Sequence, residues 1–287
     1  MAVATAPTIA AALDGATRRL AAAAVPSPRR DARLLLAHVL GSGIELLLGH
    51  PERPVDPANA ARFGALIERR AGREPVSRLI GRREFWSLEF RVTPAVLDPR
   101  PDSETLVDAV LALQRDRQAQ LRLLDLGTGS GCLLLALLHD LPRARGIGVD
   151  NSQAALAVAR ENAQALRLDA RAEFRLGDWA QGLDQRFDIL VTNPPYIAER
   201  AIDALAPEVA GFDPRAALAG GADGLAAYRV LAPQIAGLLL PGGIAGVEVG
   251  EGQAAAVERL FTAAGLSFLG CRHDLQGIAR CVLFRCG

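Results

Sequence analysis

The residues with the clearest chemical purpose are Asn193-Pro194-Pro195-Tyr196, which follow the apolar run 187–191. That run is partly β-branched and stops at two prolines, the pattern of a buried strand that ends abruptly. Each proline holds its own φ near about −65°, and the first also drives Asn193 out of the helical region, so the turn is stiff. The Asn193 side chain brings a carbonyl acceptor and an NH2 donor, and Pro194 keeps its carbonyl without an N–H. Two acceptors converging beside the flat Tyr196 ring suit a planar group bearing an NH2, either a carboxamide or the exocyclic amine of a nucleobase. An amide nitrogen is a poor nucleophile because its lone pair is shared with the carbonyl. Holding both its hydrogens on acceptors, in line with an electrophile, is a way to make it react. Catalytic work therefore falls to Asn193, Pro194 and Tyr196, and substrate binding to Asn193, Pro194, Pro195 and Tyr196. Taken alone, Asn-Pro-Pro also reads as no more than a rigid turn.

A second constellation lies upstream. The apolar stretch Arg122–Leu126 runs into Gly127-Thr128-Gly129-Ser130-Gly131-Cys132, and 133–138 continues as a helix. Glycines at such a turn let the backbone approach a ligand above the strand. A pyrophosphate fingerprint needs glycine where Cys132 stands, and Asp125 just before the loop favours the cationic end of a ligand instead. S-adenosylmethionine, with an ammonium, a sulfonium and no phosphate, meets that description. Asp150, closing the next strand, is placed to accept from both hydroxyls of a ribose. Gly177-Asp178-Trp179 then brings a carboxylate and an indole to where an adenine would lie.

Strands must carry these loops, and the pattern supplies them. A helix over 103–114 precedes strands at 122–126, 146–149, near 174–176, at 187–191 and at 244–249. Ser152 caps an alanine-rich helix, another spans about 254–263, and 267–269 with 281–284 forms a closing antiparallel pair. This alternation predicts a doubly wound, mostly parallel seven-stranded α/β sheet, Rossmann-like in form. Ahead of it, Ile9, Leu13, Ala16 and Leu20 lie at helical spacing. A second helix has Ser27 as a capping hydroxyl before Pro28 and ends before Gly41. A third follows Pro57, with Ala61, Phe63, Leu66 and Ile67 inward and Arg62, Arg69 and Arg70 outward. These make a small all-α bundle, and the alternating stretch 84–92 makes a β-hairpin connector. The expected domains are 1–74 (helical, substrate-docking), 75–101 (connector) and 102–287 (catalytic).

Composition narrows the class. Half of the 287 residues are apolar, and 32 Lys plus Arg balance 32 Asp plus Glu, so no global field draws in duplex nucleic acid. The alanine-rich start lacks the basic region of a secretory signal, and the longest apolar runs, such as 235–240, fall short of a membrane span. Four cysteines without metal or disulfide spacing read as small buried hydrophobes in a reducing cytoplasm, with no metal site. Arg69, Arg70, Arg73, Arg78, Arg82 and Arg83 form a basic approach to the connector, read as a solvated face ahead of a patch for an acidic or RNA-like surface.

In these residues the chain resembles the class I methyltransferases, and among them the family that methylates the glutamine of peptide chain release factors (PrmC/HemK). The resemblance rests further on Pro99-Arg100-Pro101-Asp102-Ser103-Glu104, Gly220-Gly221-Ala222-Asp223-Gly224-Leu225, and Glu248-Val249-Gly250 followed by Gln253. It implies that Gly127, Thr128, Gly129, Ser130, Gly131, Asp150 and Trp179 hold S-adenosylmethionine, with Asn193 also near it and S-adenosylhomocysteine as the product. It further implies that Asn193 to Tyr196 hold a release factor's Gly-Gly-Gln glutamine for methylation at N5, in a cytoplasmic monomer without membrane or duplex nucleic-acid partners. Arg78, Asp98 and Ser87 stand where the family usually has tyrosine, isoleucine and glycine, and all three lie in the connector. Three other readings fit the residues less well. The tetrapeptide also occurs in DNA adenine and RNA guanine amino-methyltransferases, but those need a target-reading domain and a basic face. A non-catalytic adaptor of the translation machinery sits poorly with a complete loop and Asn193. Cys132 weakens a nicotinamide dehydrogenase.

Overall fold

A computed structural model describes residues 6–287. The first five residues, which belong to the expected helical domain, lie outside the described residues. The chain forms two compact units, one of residues up to Gly81 together with Ala206–Phe212, the other of Arg82–Leu205 and Asp213–Gly287.

The first unit holds α1 (Ile9–Ala22), α2 (Pro28–Leu40), α3 (Ile44–Gly49), α4 (Pro57–Ala71) and α5 (Val76–Ile80). The sequence pattern shows only three of these helices; α3 and α5, of six and five residues, are too short to display a helical period. Leu20, Leu35, Leu36, Phe63 and Ile67 fill a common core. Thr8 and Asp56 cap α1 and α4 by accepting from Ala11 N and Asn59 N. Ser27 occupies the capping position of α2 but makes no capping bond, a correction: at ψ 60° it lies outside the extended conformation from which such hydroxyls reach the first turn. Ala61 is exposed, whereas Arg70, expected outside, is buried. The reason is charge pairing, since Arg70 donates to Asp31 Oδ2 at 2.8 Å and to Glu208 Oε1 at 2.9 Å, and Arg73 donates to Glu208 Oε2 at 2.7 Å. Burial favours a protonated Glu208, but bonds from Arg73 and Arg70 outweigh it and hold the carboxyl at about 2. Arg69 pairs with Glu74, and in the second unit Arg82 pairs with Glu89 and Arg83 with Asp98, so most of the basic approach meets carboxylates.

The second unit opens with β1 (Arg82–Phe85) and β2 (Leu88–Arg91), a two-residue hairpin in which Trp86 and Ser87 both take positive φ, 54° and 57°. That geometry suits the right-handed strand twist but favours glycine. Ser87→Gly is therefore expected to raise stability by about 0.5–1 kcal/mol, a change of about 1–3 °C in Tm readable by thermal unfolding.

Next come α6 (Glu104–Leu113), β3 (Arg122–Leu126), α7 (Cys132–Asp140), β4 (Arg145–Asp150), α8 (Gln153–Ala165), β5 (Ala172–Leu176) and β6 (Phe187–Thr192). After the one-turn helices α9 (Glu199–Ile202) and α10 (Pro207–Ala210), the latter in the first unit, follow α11 (Ala226–Leu238), β7 (Leu239–Glu248), α12 (Ala254–Ala263), β8 (Leu266–His273) and β9 (Ala279–Cys286). The seven-stranded order is β5-β4-β3-β6-β7-β9-β8, parallel from β5 to β7 and antiparallel at β9 and β8. Strand alternation divides the core: Leu123, Ile189 and Val191 pack with α6, α7 and α8, while Leu124, Leu126 and Leu190 pack with α11 and α12. Two elements depart from the pattern. Helix α11 contains Pro233, and β7 begins before Pro241-Gly242-Gly243, where a register shift opposite Phe187 and Ile189 absorbs the breakers.

Candidate active site

Strand register builds the site. Leu126 is level with Val149 and with Thr192, and Thr192 with Val247. The next residue of each strand, namely Asp150, Gly127, Asn193 and Glu248, therefore falls in one row at the carboxyl edge, with strands about 4.8 Å apart. This is where the chain order reverses across the sheet, the usual ligand position in doubly wound folds. Thr192 Oγ1 donates to Leu126 O at 2.7 Å and locks the two central strand ends together.

A cavity of the second unit is lined by Gly127 to Ser130, Asp150, Trp179, Asn193 and Pro195. Further lining comes from Ala95 to Leu97, Pro99 and Arg100 and from Pro214, Ala216 and Ala217, two segments joined by the Arg100–Asp213 ion pair. Gly127 N and Thr128 N both donate to Val149 O at 2.9 Å. Gly127, Gly129 and Gly131 take φ of 75°, 55° and 81°, so the loop folds only with residues free of a Cβ penalty. A Cβ on Gly127 would stand 3.4 Å from the Trp179 ring, whereas one on Gly129 would meet nothing within 4 Å. Gly131 caps α7, where a Cβ would press on Leu135 and Ala159 at 3.2 and 3.3 Å, and it stands off the cavity wall.

Asp150 Oδ2 accepts from Gly129 N at 2.8 Å and Oδ1 from Ser152 N at 2.9 Å. Each carboxylate oxygen has two lone pairs, so each keeps capacity for a ligand hydroxyl. Asp125 is placed differently from the expectation that it meets a ligand's cationic end. It is wholly buried beneath the loop, where Oδ2 accepts from Thr128 Oγ1 at 2.6 Å and Oδ1 has no hydrogen-bond partner. Burial pushes its carboxyl up to about 7.

Of the tetrapeptide, Asn193 and Pro195 reach the cavity; Pro194 is buried and Tyr196 half-buried behind them. Gln253 Nε2 donates to Tyr196 O at 2.9 Å while its Oε1 accepts from Gly250 N at 3.0 Å. Ile197 N donates to Leu218 O, and Gly220 N donates back to Ile197 O. The segments 220–225 and 248–253 thus brace the turn, which gives a physical reason for their company in the sequence. Asn193 Nδ2 donates to Ser103 Oγ at 3.3 Å, and Ser103 is buried at the start of α6. Sequence reasoning assigned no role to Ser103, Arg100 or the 95–97 and 214–217 walls; the proline-flanked run 99–101 was the available signal for a rigid strap.

Sheet order, glycine loop and edge carboxylate define a class I methyltransferase. Residues 11–81 match the family described as PrmC N-terminal domain, and residues 117–244 the family described as methyltransferase domain. The chain belongs to the release factor glutamine methyltransferase family. It is 50% identical to the protein of that name from Rhodospirillum rubrum, over 95% of this chain and 83% of that one. It is 47% identical to the one from Caulobacter vibrioides, over 96% of each chain. A solved T. thermophilus 16S rRNA N2 G1207 methyltransferase, in complex with AdoMet and guanosine, shares the fold at a TM-score of 0.51 and 21% identity, over 72% of this chain and 50% of that one. Among the described residues no helix is long and apolar enough to cross a membrane.

Proposed function

We propose that the chain transfers a methyl group from S-adenosylmethionine to the side-chain amide nitrogen (N5) of the Gly-Gly-Gln glutamine of peptide chain release factors, giving N5-methylglutamine and S-adenosylhomocysteine. The observation that carries this reading is the strand register that sets Asn193 beside Gly127 over one shared cavity. The common name of relatives at 41–50% identity favours a release factor over nucleic acid as the substrate. The first, helical unit serves to dock that protein, and the chain works as a monomer in the cytoplasm.

The cavity fits the methyl donor. Gly127 to Ser130 line one side of it, Asp150 has acceptor capacity for two ribose hydroxyls, and the Trp179 ring gives a flat wall for adenine. When bound, S-adenosylmethionine supplies a methyl activated by a sulfonium. On the substrate side, the Asn193 Oδ1 and the Pro194 carbonyl accept the two amide hydrogens of the glutamine, and Tyr196 forms the wall behind them. Ser103 engages the NH2 end of Asn193, which leaves Oδ1 to the substrate. Positioning and fixed dipoles carry the main share of the catalysis, because the nitrogen becomes acidic once methylated and then sheds its proton.

Asp150→Ala is expected to weaken S-adenosylhomocysteine binding by about 10- to 100-fold, as hydrogen bonds to a charged group are lost. Calorimetric titration measures it. The function itself is tested by incubating the chain with labelled S-adenosylmethionine and purified release factor, then locating the label by mass spectrometry. Label on any residue other than the Gly-Gly-Gln glutamine contradicts the assignment.

A further inference from the structure

Row neighbours at the sheet edge include one acid that the mechanism above does not use. Glu248 is level with Asn193, one residue beyond the Thr192–Val247 pair. Val247 packs with α11 and α12, and Thr192, in register with it, follows Val191 of the opposite face, so alternation turns Glu248 and Asn193 toward the α6 face, where Ser103 sits. Glu248 is 1% exposed, and its Oε2 has no hydrogen-bond partner. A buried carboxylate this poorly paired is costly, and a structural role alone gives no reason to keep it. Ser103, which accepts from Asn193 Nδ2 at 3.3 Å, and Asn193 itself both favour its ionised form.

We infer that Glu248 is a positioning residue for the methyl transfer proposed above, fixing through Ser103 and Asn193 which end of the Asn193 amide faces the substrate. The two ends of an asparagine amide are nearly equal in size and opposite in hydrogen-bonding sense. Only Oδ1 toward the cavity accepts from the glutamine; the flipped amide presents an NH2 to an NH2. A serine hydroxyl both donates and accepts, so Ser103 alone does not choose between them. An ionised carboxylate only accepts. It draws the Ser103 hydroxyl hydrogen and the Asn193 NH2 toward itself, and Oδ1 is left facing outward. Protonated, the carboxyl gains a donor of its own and the preference weakens.

The charge on Glu248 is poised to change. Burial pushes the carboxyl up to about 7, against the opposing pull of Ser103, Arg280 and Asn193 and with the support of Asp102. The other titratable groups that feel its charge are Cys281 on β9, Tyr228 on α11, whose hydroxyl donates to the Glu248 backbone carbonyl, Cys132 on α7 and Tyr196. Burial raises all four, and the carboxylate's charge adds to the rise, so all four stay neutral while Glu248 titrates. A raised carboxyl is protonated below its own titration point, so the competent, ionised form accumulates as pH rises. Asp125, also near 7, lies under the glycine loop; its titration belongs to the KM for the methyl donor, whereas that of Glu248 belongs to kcat.

The test uses the full chain, S-adenosylmethionine and purified release factor between pH 5.5 and 9. Wild-type kcat is expected to rise through a titration near 7 to a plateau. Glu248→Gln should lose about tenfold in plateau kcat, as a charge-assisted hydrogen bond is replaced by a neutral one, and should lose the acid limb. S-adenosylhomocysteine affinity should stay at the wild-type value. Ser103→Ala, a smaller change should Glu248→Gln not fold, is expected to behave likewise, and the double variant to lose no more than either single one. A Glu248→Gln or Ser103→Ala enzyme that keeps wild-type kcat or its acid limb overturns the role of Glu248 while the proposed reaction stands. Loss of cofactor affinity in step with kcat, or additive losses in the double variant, also overturns it. A wild type that leaves the release factor unmethylated overturns both.

Discussion

Asn193→Ala is expected to lower kcat by at least about 10²–10³-fold, the loss seen when one preorganised polar group leaves a reacting centre. The proposed chemistry depends on an amide nitrogen whose lone pair is tied up in resonance, so orientation is most of what the protein contributes. Removing Oδ1 frees one of the two hydrogens, and the nitrogen then samples directions away from the methyl. S-adenosylhomocysteine affinity should change little, because the donor's principal contacts are assigned to Gly127 to Ser130, Asp150 and Trp179 on the neighbouring strand ends. Stability should change little as well, since Asn193 is only half-buried and its side chain gives up one 3.3 Å bond to Ser103. Single-turnover rates beside calorimetric titration separate these effects. A variant with near-wild-type turnover would remove the tetrapeptide from the chemistry.

The parts of this site that the sequence made legible are those that end a strand. Glycines after Leu126, an acid after Val149 and prolines after Thr192 punctuate apolar runs, and parallel pairing aligns such punctuation at one edge. The bounds of β3 and α12 were readable because apolar periodicity and breakers agreed there. Where one signal contradicted another, the reading failed. Helix α11 hid behind Pro233, and the first half of β7 hid behind Pro241-Gly242-Gly243. Partnerships between distant residues left no local trace. Arg70 sits on a helix face that reads as exposed until Asp31 and Glu208 arrive from 39 and 138 residues away. Ser103 touches Asn193 across 90 residues, and no spacing rule connects them. Asp125 was visible as an acid beside the loop, but which side of β3 it faced depended on the sheet being covered on both faces.

Gly220→Ala is expected to damage activity and stability together. Its φ lies outside the left-handed region, so the backbone itself would accept alanine. The obstacle is space. A Cβ there would stand 2.8 Å from Pro195 O and from Tyr196 Cα, and 2.9 Å from Gly224 Cα, all of them main-chain atoms that no rotamer change can move aside. One side of that contact is the catalytic turn, pinned by Gln253 to Tyr196 O; the other is Gly224, at φ 78°. Overpacking of this kind costs about 1–3 kcal/mol, or about 3–8 °C in Tm. The turn must yield, and a displacement of about 1 Å at a reacting group is enough for a loss of about 10²-fold in kcat. Gly237→Ala in α11, where a Cβ meets nothing within 4 Å, is the matched control and should be neutral or slightly stabilising. Thermal unfolding and turnover of the two variants side by side decide the matter. If Gly220→Ala matches its control in both, the turn does not depend on this close approach.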